Sequence, residues 1–365
     1  MDLGTMELTD LAETQQASRG TEAQRSESER ELLATELAPV DRGRQAWTFV
    51  MAAFILETFV WGFGFCFGVF QNYLTSYPDS PFLGSTPTLI SVIGTTSLAV
   101  SYLVGFGSIA LLRRFDRDVK KILWTSLVVA IGSLILSSFA TQVWQLILLQ
   151  GAAFGTAAGI LYAPALLWVP EWFVARRGLA SGLIFCGSGF GGALFPVVVG
   201  ALLEKSGFRW TLRIWAVLFG IFTGLATWFV RPRVPVSRVR HARLAPIDWT
   251  FFKHPSFIIV ALTTLIQALA YFPISLYMPT YTSALGLPPV NGQLVLSTFN
   301  ACSVVIFGYL CDRVSYSRVI MISGLGAALS AYLVWGFARN LGLIFAFVIL
   351  FGSLVSRSIF LYEER

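Results

Sequence analysis

The 365-residue chain has few of the side chains on which enzymes and metal sites depend. Its two histidines, His241 and His254, fall in one loop, and its four cysteines lie inside or at the edge of apolar runs. Neither residue type shows the spacing of a metal site or of a disulfide framework. A nucleophile–base pair and a phosphate-binding loop are also missing. We therefore expect neither an enzyme nor a cofactor.

Charged residues are also scarce. They make up 13% of the chain, against about a quarter in soluble domains. Hydrophobic residues make up 55%, and the mean hydropathy is +0.69. Apolar stretches near 20 residues recur, which is the length that a helix needs to cross a hydrocarbon core of roughly 30 Å. These features predict an all-α polytopic membrane protein.

Ten apolar runs are predicted to span the membrane. They lie at 47–74, 88–112, 122–140, 142–169, 178–203, 211–230, 255–282, 291–311, 318–337 and 341–356. Residues 1–40 are polar and contain no aromatic residue, so we predict a disordered tail. This tail lacks the basic start and apolar core of a cleavable signal peptide.

The distribution of Lys and Arg predicts the orientation. One set of connecting segments collects most of them, whereas the turns at 75–87 and 283–290 hold none. These two turns lie on the side opposite the basic segments. The other connecting segments of that side hold only Lys205, Arg209, Arg213 and Arg339. Because short cytosolic loops carry an excess of basic residues, the amino terminus is predicted to be cytosolic. We expect the plasma membrane, with a vacuolar or other organelle membrane as the alternative.

The longest basic segment, 231–254, separates six spans from four and is broken by three prolines. It is interpreted as a linker between a six-helix bundle at 41–230 and a partial bundle at 255–356, with an irregular tail at 357–365. Aromatic residues just before the seventh span favour an interfacial anchor. The alternative is that the linker binds anionic lipids of the inner leaflet.

Glycines recur at helical spacing in two spans. They are Gly151, Gly155 and Gly159 in the fourth span and Gly178, Gly182, Gly187 and Gly191 in the fifth. Small residues at this spacing let helix backbones approach closely. Prolines at 164, 170 and 196 keep a second interpretation open, in which kinked helices flank a cavity and change state.

The polar residues within the spans are few. Glu57 is placed near the bilayer centre, where an ionisable side chain is costly and by default indicates function. The alternative is a glutamate that hydrogen-bonds a neighbouring helix purely for packing. Further candidates for a substrate or proton path are Gln71, Asn72, Tyr162, Gln267, Tyr271 and Asn300. Because no cation lies in the middle of any span, a neutral or weakly bound solute is favoured, or one carried with its proton.

Two motifs carry a resemblance to a known family. The Gly-x-Leu-x-Asp-Arg run at 308–313 resembles the signature loop of the major facilitator superfamily. EWFVARRGLASG at 171–182 is similar to the segment between the fourth and fifth helices of monocarboxylate-transporter-like members, most of all the fungal branch. The resemblance covers about 40 to 356. It implies a transporter of two six-helix bundles that works by alternating access.

The chain also departs from that family. Phe65 stands at the position of the lysine that animal monocarboxylate transporters carry in the first helix, and Asn300 and Val304 stand where their Asp/Arg pair would lie. Asp41-Arg42-Gly43 replaces the usual Asp-Gly. The resemblance implies two further helices after the tenth span that this sequence does not contain. We therefore expect an incomplete four-helix second bundle.

A cytosolic gate is predicted from a repeated acid–base cluster. Asp116 and Arg117 follow the second span, Asp312 and Arg313 follow the eighth, and Arg176 and Arg177 form the turn before the fifth. The turn arginines are expected to pair with one of the acids and lock the gate.

The predicted function is secondary transport of a small, monocarboxylate-like organic solute, with or without a coupled proton. The alternative is a truncated or transport-dead membrane protein that acts as a sensor or partner, or has no activity. No nucleic-acid partner is expected.

Overall fold

The computed structural model describes residues 38–78 and 80–233, together with short parts between 253 and 347. Every regular element in these parts is helical. The predicted tail at 1–40 lies almost wholly outside the described residues. So do most of the predicted linker, most of the spans at 255–282, 291–311 and 341–356, and the tail at 357–365.

The first span is built from two helices, Arg44–Phe65 and Phe67–Ser76, which meet at Cys66. Cys66 keeps near-helical angles (φ −74°, ψ −13°), so the two helices continue into one span there. The span ends where Tyr77 turns to extended backbone before Pro78, because a residue that precedes proline avoids the helical region. More than half of Arg44–Phe65 is buried, so this span lies inside the bundle.

The second and third spans are the helices Pro87–Arg114 and Val119–Ser137. Proline opens the second span because its missing N–H would have no helical partner at that position. A short 3-10 turn, Asp116–Asp118, joins the two helices. Both predicted spans are confirmed within a few residues.

The fourth span is one helix with an insertion. It runs from Val143–Leu146 through a π-helical segment, Ile147–Ala153, into Phe154–Trp172. π segments are rare and frequently occur at functional sites.

The predicted close contacts of the fourth-span glycines are confirmed. A Cβ added to Gly155 would lie 2.8 Å from the Ser97 carbonyl oxygen, and one on Gly159 would lie 2.6 Å from that of Ser101.

The fifth and sixth spans form a continuous stretch, Arg177–Phe229, that breaks at Gly207. Gly207 has φ 71° and ψ 174°, a conformation that residues with a Cβ rarely adopt. The break separates helix 177–206 from helix 208–229, as the sequence predicted. Within the described parts of the second half, Tyr316–Leu329 and the π segment Ser330–Trp335 coincide with the predicted span at 318–337.

Aromatic rings of the first span pack against those of the fifth and sixth spans. Phe63 stacks on Trp215 at 5.5 Å between ring centroids, and Trp215 meets Phe195 edge-on at 4.7 Å. Phe59 stacks on Phe222 at 5.0 Å. Such pairs add about 0.5–1.5 kcal/mol each beyond simple burial. The first span is thereby held against the fifth and sixth.

Candidate functional site

The turn between the fourth and fifth spans needs hydrogen-bond acceptors from elsewhere. The fourth span ends at Trp172, Phe173 is extended and fully buried, and the fifth begins at Arg177. The first N–H groups of a helix have no partner within that helix. The side chain of Arg176, the residue before the helix, makes no capping hydrogen bond.

Asp312 supplies two of these acceptors from the second half of the chain. The N–H of Gly178 donates to its Oδ1 at 2.7 Å, and the N–H of Leu179 donates to its Oδ2 at 2.8 Å. The carboxylate therefore lies at the amino-terminal end of a helix, where the helix dipole favours negative charge. Asp312 thus caps the fifth span across the two halves.

The capped end also touches the second half through its backbone. A Cβ on Gly178 would overlap the carbonyl oxygen of Gly308, and a Cβ on Gly308 would overlap that of Gly178. One turn along, a Cβ on Gly182 would lie 2.8 Å from the Val304 carbonyl oxygen. The predicted close packing at Gly178 and Gly182 is confirmed, and its partner is the segment that carries Asp312.

A second carboxylate binds the preceding residues of the same turn. Asp41 Oδ1 accepts from the N–H of Val174 at 3.1 Å and of Arg176 at 2.9 Å, and its Oδ2 accepts from the N–H of Ala175 at 3.0 Å. The Asp41 N–H in turn donates to the Trp172 carbonyl at 3.0 Å. This role of Asp41 was not predicted from the sequence, in which Asp41 stands out only as part of a departure from a motif.

The other predicted gate residues lie at the same end of the bundle. The Arg313 guanidinium lies over the Tyr309 ring, 4.8 Å from its centroid. Asp116 and Arg117 belong to the 3-10 turn after the second span. The predicted pairing of Arg176 and Arg177 with acids stays a prediction.

Lys120 holds the end of the sixth span. Its Nζ donates to the carbonyl oxygen of Val230 at 2.6 Å, to that of Trp228 at 3.0 Å, and to that of Thr227. The last carbonyls of a helix have no partner within it, and the negative end of the helix dipole favours a cation there. Lys120 therefore ties the third span to the sixth. This role was not predicted from the sequence, in which Lys120 is one of several basic residues after the second span.

The first described residues of the predicted linker are fixed as well. The Trp172 Nε1–H donates to the Arg231 carbonyl at 3.0 Å, and the Arg233 N–H donates to Glu171 Oε2 at 3.1 Å. The chain that leaves the six-helix bundle therefore starts from a defined position beside the end of the fourth span.

The candidate transport path contains a buried acid beside an aromatic cluster. Glu57 is 4% exposed, and Trp61 lies one turn further along the first span. The Trp61 ring lies 4.6 Å from that of Tyr102 in the second span and 5.3 Å from that of Tyr162 in the fourth. Within the described residues, the buried Trp61 Nε1 has no hydrogen-bond acceptor. Glu57 and Tyr162 were predicted from the sequence as path residues, whereas Trp61 and Tyr102 were not.

The remaining predicted path residues do not join this cluster. Gln71 and Asn72 lie near the end of Phe67–Ser76, and Asn72 is exposed. At 1.5 Å per residue they stand roughly 20 Å along the span from Glu57. Gln267, Tyr271 and Asn300 lie outside the described residues. In the part of the chain that the structure describes, no group of His, Cys, Asp and Glu is arranged to hold a metal ion.

Comparison with known proteins points to one family. The family model described as Major Facilitator Superfamily matches residues 47–360. MFS-type transporter 1 of Ophiocordyceps sp. is 27% identical over 86% of this chain, which covers 69% of that protein. The aspyridones efflux protein apdF of Emericella nidulans is 28% identical over 78% of this chain. MFS-type transporter dbaD of the same organism is 32% identical over 66% of it. The chain spans only 57% and 52% of the lengths of these last two relatives.

A solved structure shares the fold. The proton:xylose symporter XylE, bound to 6-bromo-6-deoxy-D-glucose, superposes with a TM-score of 0.64 at 13% identity. The match covers 87% of this chain and 81% of XylE. The predicted fold class, an all-helical polytopic membrane protein of this type, is thereby confirmed.

Proposed function

The chain belongs to the Major Facilitator Superfamily, and on that basis we propose that it is a secondary transporter that carries a small organic solute by alternating access. One observation carries the proposal. Asp312, from the second half, caps the helix that begins the fifth span of the first half.

Alternating access requires a contact between the halves that forms in one state and breaks in the other. The Asp312 cap suits this requirement because hydrogen bonds to a charged group contribute about 1.5–3 kcal/mol each. When the halves separate, water solvates both the carboxylate and the freed N–H groups of Gly178 and Leu179. The contact is therefore strong enough to favour the state in which the halves touch, and weak enough to break when they separate.

The solute proposal rests on the cluster around Trp61. Its indole N–H suits a carbonyl or carboxyl oxygen, and the rings of Tyr102 and Tyr162 suit an apolar or planar body. We propose a monocarboxylate-like solute that travels with a proton, and we propose Glu57 as the group that carries this proton. The relative named as an aspyridones efflux protein favours export as the direction.

The orientation and the membrane complete the proposal. We place the amino terminus and the Asp312 contact on the cytosolic side of the plasma membrane, because the basic residues collect at that end. The linker after Arg233 is proposed to lie on the anionic inner leaflet.

The test is solute uptake by the purified chain in liposomes under a pH gradient. The probes are radiolabelled lactate and benzoate, which are a small and a planar monocarboxylate. We expect uptake of at least one probe above protein-free vesicles, and a marked loss in Asp312→Asn. Asp118→Asn is the matched control, because this acid lies at the same end and pairs with the exposed Lys121.

A folded wild-type protein that moves neither probe would overturn the monocarboxylate proposal. The same result with chemically diverse organic solutes would overturn the transport proposal. It would favour the alternative of a transport-dead sensor or partner.

A further inference from the structure

Two carboxylates, those of Asp41 and Asp312, accept hydrogen bonds from the backbone of the turn before the fifth span. Among the six consecutive residues 174–179, five N–H groups donate to acids that are distant in sequence. Asp41 accepts the first three, and Asp312 accepts two of the last three. The donors that Asp312 uses therefore follow almost directly after the donors that Asp41 uses.

The two acids belong to different parts of the molecule. Asp41 lies just before the first span, and its own N–H is bound to the Trp172 carbonyl at 3.0 Å. Two ring contacts between the first span and the end of the fourth reinforce this attachment, since Trp47 meets Phe173 edge-on at 5.5 Å and Phe49 stacks on Trp172 at 6.3 Å. Asp41 and the turn are thus held together within the first half, whereas Asp312 comes from the second.

We propose that Asp41 is a positioning residue for the gate: it holds the turn in the shape that aims the Gly178 and Leu179 N–H groups at Asp312, and it stays bound when Asp312 leaves. This inference rests on the proposed gate function of Asp312. Donors that are already oriented lose less entropy when their acceptor returns, so closure is favoured. Without Asp41 the turn would have to be ordered again at each closure.

The backbone at Asp41 supports a dedicated role. Asp41 has φ 59°, and it is the only non-glycine residue with positive φ within the described ranges. Such a conformation is uncommon, although Asp and Asn tolerate it better than most residues. Asp41→Asn is therefore a clean substitution, because it retains the backbone shape while it removes the charge and one acceptor oxygen.

A reporter of gate opening is already present in the chain. Cys311 is next to Asp312, is 4% exposed and forms no disulfide. Separation of the halves at this contact is expected to expose its thiol. The experiment measures the rate at which a maleimide labels Cys311 in the full-length protein in liposomes, with the modified peptide identified by mass spectrometry. The thermal midpoint of each variant is recorded alongside.

The expected result is faster labelling of Cys311 in Asp41→Asn, by about tenfold, because a poorly positioned turn should weaken the Asp312 cap by the equivalent of one charge-assisted hydrogen bond. The double variant Asp41→Asn/Asp312→Asn should label no faster than Asp312→Asn alone, since Asp41 acts through Asp312. If Asp41→Asn does not fold, Asp41→Ser, which keeps a short acceptor, takes its place. Asp118→Asn is the control and should label at the wild-type rate.

Two outcomes overturn the inference. One is a wild-type labelling rate in Asp41→Asn when Asp312→Asn is fast. The other is an additive double variant, which would mean that Asp41 acts independently of Asp312. Failure of the gate function itself is distinguishable, because Asp312→Asn alone would then leave both labelling and uptake unchanged.

Discussion

A methyl group at Gly178 would test whether the halves must touch for the gate to close. In Gly178→Ala the new carbon would overlap the Gly308 carbonyl oxygen and lie 2.7 Å from Asp312 Oδ1. Neither atom can move away easily. The Gly308 oxygen belongs to the backbone of a helix, and two hydrogen bonds hold the Asp312 carboxylate. The closed contact therefore cannot form without moving the helices apart.

The magnitude follows from the cost of overpacking. Inserting a methyl group into a close-packed contact typically costs about 1–3 kcal/mol. The closed arrangement should therefore lose about 5- to 150-fold in population relative to the open one. Alanine is favoured over glycine in a helix by about 1 kcal/mol, so the isolated fifth span should not be destabilised. The variant should thus shift the conformational balance and leave the first half folded.

The assay is maleimide labelling of Cys311, which is 4% exposed in this structure. We expect labelling at least five times faster in Gly178→Ala than in the wild type, with reduced solute uptake. Gly132→Ala is the matched control, because a Cβ there would meet nothing within 4 Å. Wild-type labelling together with wild-type uptake in Gly178→Ala would refute the reasoning.

Three further changes have expected outcomes. Glu57→Gln should leave solute exchange intact and abolish the dependence of uptake on the pH gradient, because only the titratable proton is lost; an unchanged pH profile would assign Glu57 to packing. The double change Arg176→Gln/Arg177→Gln should abolish uptake at normal membrane levels, and normal uptake rates would refute a gating role for these side chains. Lys120→Met should lower the free energy of unfolding by about 1–3 kcal/mol in thermal melts, since helix-end carbonyls lose a charged donor. Lys121→Met is its control and should be nearly neutral, because that side chain is 83% exposed.

The six described spans of the first half could be predicted because apolar length is a local property. Even the break between the fifth and sixth spans was marked, by polar residues around Gly207. The glycine rows likewise predicted close helix contacts. They did not identify the partner, since Gly178 meets Gly308 from the other half of the chain.

Features that depend on tertiary contacts have no local pattern in the sequence that predicts them. Asp41 binds N–H groups more than 130 residues away, and a carboxylate bound to backbone needs no complementary side chain. Lys120 is one of several basic residues at its end of the bundle, and only the fold shows that it caps the sixth span. The π segment Ile147–Ala153 is apolar apart from Gln150, so its composition does not set it apart from the rest of its span. Trp61 was the exception, because its spacing of four residues from Glu57 was readable in the sequence.

The central claim is that the Asp312 cap forms and breaks as the halves alternate. The most direct measurement is the distance distribution between spin labels at Val174→Cys and Arg318→Cys, two exposed positions, one in each half of the chain, in a background without the native cysteines. Two populations are expected in liposomes, with a transported solute or a pH change shifting their ratio and Asp312→Asn enriching the longer distance. A single distribution that neither solute, pH nor Asp312→Asn alters would contradict the claim.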